Sequence, residues 1–287
     1  MNVATPDGRT LRVYDEGDPN GFPVVAHHGT PSNGVLYPPW LTEGVRLIGY
    51  DRAGYGGSAR RSGRSVADVA EDIRTTADAL GIETFATWGI SGGAPHALAC
   101  AALLPDRVIA AARIAGPAPL GADGLDWFAG QGEGNVVEHN AALAGEETLR
   151  PLVEEMYDAM SAGGEASLQA ELASLLSGPD VAALTGELAA FLHSSLAGSG
   201  ADGWVDDDLA FVSPWGFDVG SIEVPVLIRH GEQDGFVPTS HARWLAGRIP
   251  RAEALITAED GHLTLYGRAI PDVHAWLLRS RSDHPRG

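Results

Sequence analysis

The sequence predicts an α/β protein: a mostly parallel sheet with helices on both faces and an inserted, all-helical segment. Three observations predict it. Short apolar, β-branched runs alternate with helix-period stretches over residues 10–115 and again over 224–278. That alternation implies βαβ units and a parallel sheet buried on both faces. It is suspended between 121 and 213, where leucine stripes recur at helical spacing instead. The charge changes at the same places. Residues 121–213 carry 17 acidic side chains and one basic one, Arg150, a net −16, while the rest of the chain nets only −3. The segment therefore reads as a unit of its own, dividing the chain into a core of 1–120 and 214–287 and an insertion of 121–213.

The elements follow in order. Residues 10–14 alternate after the turn signal Asp7-Gly8 and read as the second strand of an antiparallel edge pair. Residues 23–27 and 45–50 are continuous apolar strands, each ending in a glycine-containing turn. Ser65 is placed to cap a helix, with Asp68 three residues on, and Gly81 ends that helix. A strand over 84–90 runs into Gly89-Ile90-Ser91-Gly92-Gly93 and then a helix over 94–104; residues 108–115 form the next strand. In the insertion, 146–160, 168–176 and 181–192 carry three helical stripes. Strands at 224–230 and 252–257 flank a helix at 239–248. Residues 263–278 are mostly helical, Pro271 marks a break or a fresh first turn, and 280–287 is a frayed tail.

At 44% hydrophobic the chain can bury a large core, which excludes a disordered protein. A net charge of −19 without a single lysine argues against nucleic-acid and anionic-membrane partners. Cys100, the one cysteine, excludes an internal disulfide framework, fits a reducing compartment and reads as a buried, inert thiol. Residues 1–8 lack the features of a secretory signal, and no apolar run approaches a membrane span. The expectation is a cytoplasmic protein, monomer or homodimer, acting on a small molecule. Residues with metal-ligand spacing, a phosphate loop and a dinucleotide fingerprint are all missing, so neither a metal nor a cofactor is expected.

Gly89-Ile90-Ser91-Gly92-Gly93 fits G-x-S-x-G between strand and helix, where a serine sits on a sharp turn with its hydroxyl exposed. A serine nucleophile needs a base, and the base needs an orienting carboxylate. In a parallel sheet such groups gather at the carboxyl ends of strands. Ser91, Asp234, His262 and the turn His28-Gly29-Thr30 each follow a predicted strand.

Together with Asp51-Arg52-Ala53-Gly54-Tyr55-Gly56-Gly57-Ser58, His230-Gly231-Glu232-Gln233-Asp234 and Gly261-His262, these motifs make the chain resemble an α/β-hydrolase along nearly its whole length. The order Ser91…Asp234…His262 is that family's order. The resemblance implies Ser91 as nucleophile, His262 as base and then acid, and Asp234 as its partner. It also implies the Thr30 and Gly92 backbone N–H groups as the oxyanion hole, and the insertion as a cap. His28-Gly29-Thr30-Pro31 is similar to the loop of small-molecule esterases and proline iminopeptidase relatives, but the iminopeptidase elbow, Gly-Gly-Ser-Trp-Gly, is ordered differently. Relatives that use Asp as nucleophile are set aside by Ser91.

Gly29, Trp127, Phe128, Met156, Met160 and Trp215 are the expected pocket residues. Asp51–Ser58 is read as a structural turn, and Glu232, Asp206, Asp207, Asp208 and Asp218 as lesser rivals of Asp234. His27 and His28 are expected to shape the oxyanion loop, and His96 and His230 to pack. His139, His193, His241, His274 and His284 are expected on solvated faces or in the tail. The leading expectation is cleavage of a small or medium, largely apolar carboxylic ester through an acyl-enzyme. Amide, N-terminal peptide or C–C hydrolysis, or perhydrolysis, would use the same residues. A slow or non-catalytic small-ligand receptor is the alternative of another class.

Overall fold

The computed structural model describes residues 1–282. Eight strands form one sheet: β1 (Asn2–Ala4), β2 (Thr10–Gly17), β3 (Phe22–His27), β4 (Val45–Tyr50), β5 (Phe85–Ile90), β6 (Val108–Ile114), β7 (Val226–Gly231) and β8 (Ala252–Thr257). Their order is β1-β2-β4-β3-β5-β6-β7-β8, antiparallel at β1–β2 and β2–β4 and parallel from β4 to β8. The central strands are buried on both faces, which is why they read as unbroken apolar runs rather than alternating ones.

Helices α1 (Val69–Ala79), α2 (Ala94–Leu103) and α9 (Thr239–Ala246) pack on one face, where Ile73, Leu98 and Leu245 meet Val25, Ile48, Val226 and Ile228. The Ser65 N–H donates to Asp68 at the entry to α1, as the capping pattern predicts. On the other face lie α10 (Thr264–Arg268) and α11 (Ile270–Ser282), with Val273 and Leu277 against Trp40 and Trp88. The break between α10 and α11 falls just before Pro271. Of the tail expected at 280–287, Ser280 still belongs to α11, while 283–287, including His284, lies outside the described residues.

Between β6 and β7 the insertion contains α3 (Glu133–Ala144), α4 (Glu146–Ala162), α5 (Gly164–Glu171), α6 (Gly178–Ala183), α7 (Gly186–Ala197) and α8 (Asp202–Phe211). Three stripes were legible in the sequence, and the structure differs in three ways. Of the stripe at 168–176 only Leu168 lies in a helix, because α5 ends at Glu171 and Leu172, Leu175 and Leu176 follow it in a turn and loop. The stripe at 181–192 divides at Leu184–Thr185 into α6 and α7. Helices α3 and α8 were not foreseen, because α3 mixes its apolar and polar positions and α8 buries three consecutive aspartates, Asp206–Asp207–Asp208. Leu149, Val153, Leu168, Leu188 and Trp204 join the core on the Trp40 face of the sheet, so the insertion shares a hydrophobic core with the strands beneath it. No helix among the described residues is long and apolar enough to cross a membrane.

Candidate active site

Ser91 leaves β5 with φ = 53°, a left-handed conformation that a side chain disfavours. The following turn enters α2 directly. The chain can fold this tightly only because its neighbours lack side chains. A Cβ at Gly89 would collide with the Gly93 carbonyl, and one at Gly93 would collide with the His27 carbonyl on β3. Gly92 lies in the first helical turn, where backbone N–H groups have no intrahelical acceptor.

The imidazole of His262, in the loop after β8, joins two groups from other strand ends. Its Nε2 is 2.9 Å from Ser91 Oγ and its Nδ1 is 2.9 Å from Asp234 Oδ2. Asp234 is buried, and its Oδ1 accepts from the N–H groups of Phe236 and Val237 at 2.9 and 2.8 Å. These bonds fix the carboxylate so that Oδ2 faces the ring. Burial by itself raises the Asp234 carboxyl, but the facing His262 imidazole, through its charge and its hydrogen bond, and the Val237 N–H outweigh it and hold the group below its usual range. With Asp234 ionised, the proton of His262 sits on Nδ1 and leaves Nε2 free to accept from Ser91. The Phe236 ring stacks on His262 with centroids 4.4 Å apart and excludes water from that face.

A residue the sequence did not single out holds the histidine loop. Asp180, in α6 of the insertion, is fully buried and accepts from the backbone N–H groups of His262, Leu263 and Thr264 at 3.0, 2.7 and 3.2 Å. Its setting, Ser177-Gly178-Pro179-Asp180, carries only a helix-start signal. A Cβ at Gly261 would collide with this carboxylate, which explains the glycine before His262.

The Thr30 loop is held from below. Arg52, 1% exposed, donates through Nη1 to the His28 carbonyl at 2.5 Å and through Nη2 to Thr30 Oγ1 at 3.2 Å. Both groups also meet the buried Asp207 of α8: Thr30 Oγ1 donates to its Oδ2 at 2.5 Å, as does Arg52 Nη2 at 2.5 Å. Arg64 adds a 2.6 Å bond to Oδ1. Asp51, beside Arg52, accepts from Gly34 and Gly57 N–H at 2.7 and 2.8 Å, so 51–58 is a turn packed under the site.

A cavity of about 120 Å³ opens over Ser91. Thr30 and Gly92 line it, as do Trp127, Met156 and Met160 from the insertion. Gly29 is not on its wall but lies between the Tyr266 phenol and the Ser91 side chain. Phe128 sits behind Trp127, ring centroids 5.1 Å apart. Trp215 is elsewhere altogether, buried against Phe217 on the far side of the sheet. An aromatic in an inserted segment is as easily a core residue as a pocket wall, and Trp215 lies just beyond the last inserted helix.

The rivals of Asp234 are otherwise engaged: Glu232 pairs with Arg243 on the surface, Asp206 with Arg60, Asp207 with Arg52 and Arg64, and Asp218 caps a turn. Asp208 stands on the cavity wall. Three histidines depart from the solvated faces expected of them. His139 lines the cavity. His241 is buried between the Ala118 N–H and the Trp127 carbonyl, and His274 between Thr42 and the Trp88 indole. Helical periodicity does not say which side of a helix meets a neighbouring loop. His193 remains partly exposed, with the Ser161 carbonyl 3.3 Å from its ring nitrogen. Cys100 is buried and burial drives its thiol well up, which makes it inert.

Known proteins share this architecture. The chain is 29% identical to a non-heme chloroperoxidase of Streptomyces lividans over 84% of each chain. It is 25% identical to the hydrolase YcgS of Bacillus subtilis (strain 168) over 97% of each. A thermophilic esterase from Thermogutta terrifontis superposes with a TM-score of 0.71 at 20% identity, covering 98% of both chains, and therefore shares the fold. The family model for the alpha/beta hydrolase fold matches residues 23–269. With that match spanning most of the sheet and the whole insertion, the chain belongs to the alpha/beta hydrolase fold family.

Proposed function

We propose that this hydrolase cleaves a small carboxylic ester through an acyl-enzyme formed on Ser91. The observation that carries the reading is the hydrogen-bonded relay Ser91 Oγ–His262–Asp234, 2.9 Å at each step, beneath a cavity. Ser91 Oγ attacks the ester carbonyl carbon while His262 Nε2 takes the hydroxyl proton. The Thr30 and Gly92 N–H groups receive the negative charge that develops on the carbonyl oxygen. Collapse of the tetrahedral species breaks the bond to the alcohol, which leaves with the proton from His262. Water then repeats the sequence, with His262 as base, and releases the acid and free Ser91.

Two features support a small substrate. The cavity, about 120 Å³, is well below the roughly 300–1,000 Å³ usual for ligand clefts. Its wall comes largely from 121–213, so the insertion acts as a lid that limits the acyl or alcohol group and keeps bulk water out. The relative named chloroperoxidase favours a second reading, in which hydrogen peroxide replaces water as acceptor of the acyl group and a peracid leaves.

The test is a chain-length panel of esters and matched amides on purified protein, with Ser91→Ala as blank and peroxide as an added acceptor. Short esters should turn over fastest, and Ser91→Ala should abolish all turnover above background. Equal turnover by wild type and Ser91→Ala would sink the reading.

A further inference from the structure

Asp234 Oδ2 faces two imidazoles. His262 Nδ1 is 2.9 Å from it, and Nε2 of His230, near the end of β7, is 3.4 Å away. Behind His230 stands Arg113, fully buried in β6, where every other residue is apolar. Its Nη1 donates to His230 Nδ1 at 2.7 Å. A guanidinium has no lone pair to offer, so Nδ1 is unprotonated and the ring proton lies on Nε2. Nε2 donates it to the Val237 carbonyl at 2.8 Å. Val237 in turn donates its N–H to Asp234 Oδ1 at 2.8 Å. Arg113 thus meets the relay carboxylate through one neutral ring.

The arrangement does not favour stability. Arg113 Nε and Nη2 meet no acceptor among the described residues. A buried cation with unpaired donors is less favourable than an apolar side chain of similar size. Burial pulls the guanidinium down to about 9 against the charge of Asp234, so it remains charged in neutral solution. Burial and then Arg113 lower His230 to about 3, although Asp234 opposes both.

The other titratable groups around these rings are engaged. His241 of α9 lies between the Ala118 N–H and the Trp127 carbonyl, and Arg229 and Arg268 face Asp260. Glu232 pairs with Arg243, and Asp180 accepts from the backbone of the His262 loop. The Tyr266 phenol is kept neutral by burial. Arg113 is therefore the one cation of this cluster not committed to another carboxylate.

We infer that Arg113 is a positioning residue of the relay: it locks His230 as a neutral donor behind Asp234, and its charge opposes a proton on either imidazole that faces the carboxylate. His262 thereby stays free to act as base in mildly acid solution. The inference rests on the proposed Ser91 hydrolysis for its consequence, but proton uptake by the two rings can be measured without turnover.

The test compares Arg113→Met and Arg113→Gln with the parent, each checked for folding by its melting temperature. Both lack the charge and differ in shape and polarity. In the first arm, isotope-labelled histidine in the Ser91→Ala background is titrated by NMR, with the rings identified by the signals lost in His230→Phe and His262→Gln. The first proton taken by either ring should arrive about one pH unit higher without Arg113, a roughly tenfold gain in proton affinity. In the second arm, with Ser91 present, the acid limb of kcat/KM for p-nitrophenyl acetate should move up by a similar amount. Both substitutions should move it equally.

A titration or an acid limb that stays in place in the folded variants overturns the inference. So does a limb that moves in one variant only, because packing and not charge is then responsible. Failure of both variants to fold also overturns it, since Arg113 then serves the fold. A moved titration without ester turnover by any form, the parent included, supports the role of Arg113 and tells against the hydrolase reading.

Discussion

The hydroxyl of Thr30 donates a 2.5 Å hydrogen bond to Asp207, 177 residues away on the last helix of the insertion. Asp207 is fully buried and also accepts from Arg52, Arg64 and the Tyr55 hydroxyl at 2.5, 2.6 and 2.8 Å. One carboxylate thus joins the insertion to the loop whose N–H is proposed to receive the oxyanion. Burial by itself would raise its carboxyl, but Arg52 and Arg64 hold it well below the usual range.

Asp207→Asn leaves two buried guanidinium groups without their anion. Loss of one partner from a buried ion pair costs about 3–5 kcal/mol, so the variant should unfold at clearly lower denaturant. Thr30→Val tests the loop more gently. It keeps the backbone N–H and the side-chain shape and removes only the hydroxyl. A fall in kcat with KM nearly unchanged is expected; a change in KM alone would mean that the hydroxyl contacts substrate rather than positioning the loop.

Ser91 carries strain that glycine would not. At φ = 53° an L-residue costs roughly 1–2 kcal/mol relative to an ordinary backbone conformation. Ser91→Gly and Ser91→Ala should therefore be equally inactive but unequal in stability, with the glycine variant more stable by about 1 kcal/mol in urea unfolding. Equal midpoints would mean that the elbow is not strained.

Asp180 accepts from three backbone N–H groups at the start of α10. Asp180→Ala strands those donors in a buried place, at about 1–3 kcal/mol for each one left unpaired. Because the first of them belongs to His262, kcat should fall by at least about tenfold. Asp180→Asn, which keeps one oxygen acceptor, should recover part of both losses. Unchanged kcat in the alanine variant would show that His262 is held without Asp180.

Acid should destabilise the fold before the carboxylates titrate. Burial lowers His96, His241 and His274 to about 4 and His230 to about 3, below the ~6.5 of an unfolded histidine. Each therefore favours the folded state above pH ~6.5. That stability is lost as the pH falls toward 4, because only the unfolded chain takes up the proton. Asp51, Asp72, Asp206 and Asp208, all raised by burial, act in the opposite sense and blunt the slope. Melting temperature should still drop between pH 6.5 and 4.5, with net proton uptake on unfolding. A flat profile there would contradict the neutral, buried imidazoles.

Much of this was legible in the sequence. Strands buried on both faces must be apolar, and turns at their ends must bend sharply. Gly89, Gly93 and Gly261 therefore bracket Ser91 and precede His262 in recognisable patterns. The insertion was less legible, because its key residues act through tertiary partners. Asp180 and Asp207 look like surface aspartates in an acidic segment, and only the fold brings the His262 loop to one and Arg52 to the other. Trp215 and Phe128 show the same limit from the other side, since an aromatic in sequence carries no direction.

The measurement that bears most directly on the account is mass spectrometry of the intact protein, quenched within the first turnovers of p-nitrophenyl acetate. The account predicts a mass gain of one acetyl group, mapped to Ser91, lost on further incubation and missing from Ser91→Ala. Ester hydrolysis with no acylated species, or acylation that persists in Ser91→Ala, would contradict it.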